Sequence, residues 1–222
     1  SSPCGPALPR VCRVSCLATF FVFYGLRPNF ASKVVLPLPN KTIMIDLTEK
    51  IQEALNRQIG YEAYASSFYL ALAYWCDDQA LEGCKKFFLR QSDEERMHML
   101  KIYEYMSESG VQPVTPEIAR PPFSYDSIKD AFQKVFEQER KVTMAIHELL
   151  KLAISEGDYN TQHFLQWYVD EQREEEAVIR MILDRIKVIG EGGQSLYYID
   201  KEVDKINMQV IAAEAAESKD QA

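Results

Sequence analysis

From Asp46 onward apolar residues return at three- and four-residue steps, and no other feature constrains the fold of this chain as tightly. Leu47, Ile51, Leu55, Ile59, Tyr69 and Ala73, with Ser66 among them, mark one buried face of a helix. Asp46, Thr48 and Glu49 offer a cap and first-turn acids, and Asp77-Asp78 breaks the pattern. A second helix is expected from about Leu81 to Ser109, stopped by Gly110. A third runs from about Asp126 to Ser155 and ends at Gly157; a fourth begins near Tyr159 and stops before Gly190. After Gly192-Gly193 comes a short fifth, about Ser195 to Ile206, and the Ala- and Glu-rich residues 207–222 read as a frayed tail.

Loop lengths turn these helices into a topology. A helix of about 28 residues is roughly 42 Å long. The first and second helices are joined by a few residues, as are the third and fourth, so each pair is antiparallel. The stretch from Gly110 to Ser124 holds Pro113, Pro116, Pro121 and Pro122 and cannot be helical throughout. Extended, it reaches about 50 Å, the whole length of a bundle. The second and third helices can therefore run parallel. The expected fold is all-α, a four-helix bundle with one long crossover and a short fifth helix over residues 44–206.

Residues 1–43 are foreign to this pattern. Six of the ten prolines fall there, with Cys4, Cys12 and Cys16. The uncharged stretch from Val14 to Leu26 is too short to span a bilayer but suits a signal-peptide apolar region, with Phe30-Ala31-Ser32 as a loose cleavage site. A transit segment is the other targeting reading. The bland reading is a disordered stretch, or sequence upstream of the working protein, since the first Met is Met44. With Met44 as the effective start the compartment is cytoplasmic; with a targeting segment it is an organelle or the exterior. Only Cys76 and Cys84 lie beyond this segment, so nothing in the patterned region calls for an oxidising compartment.

Charge is as uneven as pattern. No acid precedes Asp46, and from there 33 acidic residues face 20 basic ones, a net of −13. Such a domain repels nucleic acid and anionic membrane surfaces and attracts cations; acidity that serves only solubility is the plain alternative.

Acids in the apolar stripes locate the chemistry. Glu62 lies between Leu55 and Tyr69, and Glu95 and His98 share a face with Phe88, Gln91 and Ile102. Glu139 sits in the row Phe132, Phe136, Val142, Ile146, and Gln172 and Glu175 interrupt Phe164, Tyr168, Ile179, Ile182. A buried unpaired carboxylate costs several kcal/mol, and one per helix at similar depth demands a cation. No Lys or Arg recurs on these stripes. Hard oxygen ligands with one imidazole suit a transition metal, iron above all. Glu95-x-x-His98 places both ligands on one helix face. A single E-x-x-H, or a lone Glu62 or Glu139, would be weak; four interruptions on successive helices are strong. The pattern departs from the usual carboxylate di-iron bundle in one respect, because the fourth helix carries Gln172-x-x-Glu175 in place of a second E-x-x-H. His147 and His163 have the wrong spacing and read as ordinary side chains.

With these residues the chain resembles the bacterial-type non-haem ferritins, members of the ferritin-like di-iron carboxylate family. The resemblance rests on Glu62 with Tyr69, on Asp93-Glu94-Glu95-Arg96-Met97-His98, on Glu139, on the run from Phe164 to Glu176, and on Leu196 to Glu202; it covers about residues 46–206. It implies that Glu62, Glu95 and His98 bind a first iron, that Glu95 bridges to a second completed by Glu139 and Glu175, and that Gln172 lies close by. Glu94, Glu171 and Glu174 match a third, weaker iron site. Tyr69 matches a tyrosine that supplies an electron, and reads equally well as a core aromatic; Trp167 reads as core packing. The implied activity is a ferroxidase, oxidising Fe(II) with dioxygen or peroxide and depositing Fe(III) mineral inside a hollow homo-oligomeric 24-mer, without haem. The rivals are a haem-binding bacterioferritin, disfavoured by Arg96 where that family has methionine, a di-iron oxygenase or peroxidase without mineral storage (rubrerythrin-like), and a non-catalytic helical signalling bundle.

Overall fold

Helix caps chosen by the local sequence set the elements of the computed structural model, which describes residues 47–190 and 192–220, with side chains to 216. α1 spans Glu49–Asp78, α2 Glu82–Glu108, α3 Ile128–Glu156, α4 Tyr159–Ile189 and α5 Ser195–Asp220. The Thr48, Ser127 and Asp158 side chains accept the backbone N–H of Ile51, Asp130 and Thr161, satisfying donors that a helix start otherwise leaves unpaired. Gly157 ends α3 at φ +70°, in the left-handed region that glycine enters without strain. The expectations for residues 1–43, targeting included, lie outside the described residues, as does Asp46.

Two boundaries differ from the sequence reading. Asp77 and Asp78 stay helical, and the α1–α2 break falls at Gln79 and Ala80, where Ala80 takes φ +57°. α5 does not stop at Ile206 but continues to Asp220. Ala212, Ala213, Ala215 and Ala216 with Glu214 are strong helix formers, so residues beyond 206 prolong the helix.

Contacts between elements give the directions. Lys50 on the first turn of α1 reaches Glu156 at the end of α3, and Ser66 and Ser92 hydroxyls donate to each other's backbone carbonyls at 2.7 and 2.8 Å. α2 and α3 both place their first turns in one apolar cluster and so run parallel, as the crossover length requires. That crossover, residues 109–127, follows α1. The Val114 N–H donates to Asn56, Pro116 lies over Gly60, and the Tyr125 ring meets Trp75 at 5.2 Å.

The core divides into two apolar layers. One gathers Ile51, Leu55, Ile59, Ile102, Met106 and Ile146; the other gathers Leu72, Phe87, Phe88, Phe132, Ile182 and Val203. The polar residues of the helix midpoints lie between them. No helix among the described residues is long and apolar enough to cross a membrane.

Candidate metal centre

Each of the first four helices delivers its carboxylate from near its midpoint, which is why side chains far apart in sequence meet at one level. Glu62, Glu95, His98, Glu139, Gln172 and Glu175 are all buried. Ligand atoms of Glu62, Glu95 and His98 lie within 4.8 Å of one another, and so do those of Glu95, Glu139 and Glu175. Glu95 belongs to both groups, the arrangement of a bridging ligand between two metal positions.

Hydrogen bonding across this waist is lopsided. Gln58 Nε2 donates to Glu62 Oε1 at 2.8 Å. Glu139 is held at both oxygens, by the Tyr69 hydroxyl and by Gln172 Nε2 at 3.2 Å. Glu62 Oε2, both oxygens of Glu95 and both of Glu175 have no hydrogen-bond partner. Five buried acceptors left bare would be an anomaly in a packed interior. Divalent cations are what such oxygens can serve.

Protonation answers the missing charge. Burial raises the carboxyls of Glu62, Glu95 and Glu175, and the charges of the neighbouring acids push Glu95 and Glu175 further. Burial also lifts Glu139, but only to about 7, because the Tyr69 hydroxyl bond favours its charged form. Burial and the Glu139 charge raise Tyr69 well above its ordinary value, keeping it a hydrogen-bond donor. Burial, with Lys101 nearby, lowers His98 to about 4. The imidazole is thus neutral near pH 7, the form that binds metal. Its Nδ1 stands 3.5 Å from Glu95 and 3.9 Å from Glu175, and its Nε2 is 3.9 Å from Glu171.

The three outer acids take different stations. Glu171 joins His98 and Glu175 in a further group of close ligand atoms. Glu94 is paired with Arg90, and Glu174 faces solvent with Arg173 3.7 Å away. All three line one cavity of about 860 Å³ beside the centre. His147 and His163 are exposed, away from the waist. Trp167 is not core packing: it is 37% exposed, its ring stands edge-on to His98 at 5.2 Å, and Lys101 lies 3.8 Å over its face.

Sequence reasoning passed over the residues that hold the ligands. Gln58 lies one turn before Glu62, and Thr143 one turn after Glu139, where its hydroxyl accepts from Gln172 at 3.3 Å. Both sit four residues from a buried acid, and that spacing is the signal that could have found them.

Comparisons with known proteins match the helical domain that carries this centre. The Ferritin family model, a ferritin-like domain, matches residues 52–189. A probable bacterial non-heme ferritin-like protein of Haemophilus influenzae is 38% identical over 161 residues, covering 72% of this chain and 98% of the relative. A bacterial non-heme ferritin of Campylobacter jejuni is 38% identical over 160 residues, 72% of this chain and 96% of that one. Among solved structures, the open pore ferritin of Archaeoglobus fulgidus superposes with a TM-score of 0.70 at 41% identity, over 72% of this chain and 98% of its own.

Proposed function

Because the chain belongs to the ferritin family, we propose that it stores iron, oxidising Fe(II) at the waist of the bundle with dioxygen or peroxide and passing Fe(III) into a shell of identical subunits, a 24-mer. One observation carries this reading: five partnerless buried carboxylate oxygens converge with a neutral imidazole at the level where two apolar layers part. Iron is the substrate here. Glu62, Glu95 and His98 hold the first Fe(II), and Glu95, Glu139 and Glu175 the second.

Charge explains both capture and release. Four ionised carboxylates balance two divalent cations, so binding displaces the protons that burial holds on Glu95, Glu139 and Glu175. Two Fe(II) ions surrender two electrons to the oxidant, and the site then carries more positive charge than its four acids cancel. That surplus drives Fe(III) onward to other acids. Glu94, Glu171 and Glu174, lining the adjoining cavity, form the weaker third site that receives it. Gln172 at the place of a second histidine donates to Glu139 and adds no strong ligand, which favours transit over retention. Tyr69, bonded to Glu139, is placed to give an electron and a proton together.

Aerobic Fe(II) loading with light-scattering mass on the same sample tests the reading. A particle of many subunits holding far more iron than its centres can bind is the expected result. About two irons per chain with no mineral would assign the protein to di-iron oxidoreductases instead.

A further inference from the structure

The unexpected length of α5 has a consequence for the centre. Asp200, Asn207 and Glu214 are seven residues apart and lie on one stripe of that helix. The stripe runs beside the first turns of α2. Asp200 Oδ1 accepts the Cys84 N–H at 2.9 Å, capping a helix start whose own Leu81 has no capping side chain. Backbones come so close there that a Cβ on Gly83 would overlap the Asp200 carbonyl oxygen. One heptad on, Asn207 Oδ1 accepts from Arg90 Nε at 2.7 Å; another heptad on, Glu214 Oε1 lies 3.2 Å from Arg90 Nη1. The same Nη1 bonds Glu94.

This stripe ends at the cavity beside the metal centre. Glu214 lines that cavity with Glu94, Glu171, Glu174, Glu175 and His98. Its negative charge acts on both Glu94 and Glu171. Glu175 supplies the independent sign of a ligand: its side chain is 8% exposed, it faces the cavity, and neither of its oxygens has a hydrogen-bond partner. A cavity walled by carboxylates and one imidazole suits a divalent cation.

We propose that Glu214, carried by the distal half of α5, is an additional carboxylate of a divalent-cation staging site at the mouth of the centre, and that Arg90 is the counter-ion which an incoming cation displaces. Arg90 bridges Glu94 and Glu214, so a cation that takes both carboxylates removes two of its partners. Asn207 still holds the guanidinium, which keeps α5 in place. The proposal rests on the reading of the waist as a metal centre.

Calorimetric titration of the full-length, metal-free protein with Zn²⁺ tests it without oxidation chemistry. Wild type is expected to show two tight steps and a weaker one. Glu214→Gln weakens the weak step about tenfold and leaves the tight pair unchanged; Glu214→Asp restores most of it. Arg90→Gln tightens the weak step, because the competing cation is gone, whereas a merely structural arginine would give no tightening. Glu214 is 52% exposed, so its variants keep the fold. A Glu214→Gln titration that matches wild type, while Glu139→Gln loses a tight step, overturns the role of Glu214 and spares the centre. If Glu139→Gln also matches wild type, the centre itself falls. Asn207→Leu, which frees the same α5 anchor and keeps the charge, sets the baseline: an Arg90→Gln titration no tighter than Asn207→Leu overturns the counter-ion role.

Discussion

The two metal positions share Glu95 but are held in opposite ways. In the first, Glu62 has a single donor, Gln58, and its ligand partner His98 is a neutral ring against Trp167. In the second, Glu139 is gripped at both oxygens by Tyr69 and Gln172, while Glu175 is bare. Donors aimed at a carboxylate favour its charged form, so the Tyr69 bond holds the rise of Glu139 to about 7, while burial and the neighbouring acids raise Glu95 and Glu175 well above the ordinary value. The comparison teaches that each position keeps one carboxyl steadied by a donor, Glu62 or Glu139, and that Glu95 and Glu175 depend on the cation to draw off their protons.

The largest effect belongs to the shared residue. Glu95→Gln removes a ligand from both positions and is expected to slow Fe(II) oxidation at least 100-fold, read as the initial rate of Fe(III) absorbance. Glu139→Gln touches one position, and metal titration should show one tight step lost with the other kept. Equal damage from the two variants would break the distinction between the positions.

Stability against pH comes next. Glu139 has a folded value of about 7 against an ordinary 4.5, so the folded state holds the extra proton between these limits. Its contribution is complete below pH 4.5 and is lost as pH rises through 7, about 3 kcal/mol for this group. Metal-free protein should therefore melt at a lower temperature at pH 8 than at pH 5, and Zn²⁺ should reverse the trend, since ligands bind metal deprotonated. A melting temperature that rises from pH 5 to pH 8 without metal would contradict a waist whose buried carboxyls hold protons.

A smaller effect sharpens the contrast. Tyr69→Phe leaves Glu139 Oε1 without its donor at a fully buried site. The second position should bind Zn²⁺ about tenfold more weakly, and the first should not change. Loss of affinity at both would mean that Tyr69 supports the waist as a whole.

How far this asymmetry could be read in advance depends on the type of contact. The four long helices were legible because cap residues such as Thr48, Ser127, Asp158 and Gly157 act within a few positions of themselves. The gathering of Glu62, Glu95, His98, Glu139 and Glu175 was legible because acids recurring at one depth in the apolar rows of four successive helices call for a shared cation. The full extent of α5 was not. Its Ala- and Glu-rich end favours helix, but such an end frays unless something holds it, and the anchors, Asp200 on the Cys84 N–H and Asn207 on Arg90, are tertiary bonds over more than a hundred residues whose partners α5 alone does not reveal. Glu94, Glu171 and Glu174 looked alike in sequence, yet Arg90 neutralises one, His98 neighbours another and solvent takes the third.

The smallest effect separates donors most finely. Gln58→Leu deletes the amide donor on Glu62 and leaves the acid in a still drier pocket, so its carboxyl rises further and a cation must displace a more firmly held proton. His98 and Glu95 remain, and the expected loss is a few-fold in first-position Zn²⁺ affinity, growing as pH falls toward 6 because proton competition strengthens. The second position keeps its grip on Glu139 and should be indifferent. If Gln58→Leu cost as much as Tyr69→Phe, the single donor of the first position would matter as much as the paired donors of the second. The two positions would then differ in geometry and not in how strongly the protein prepares them for metal.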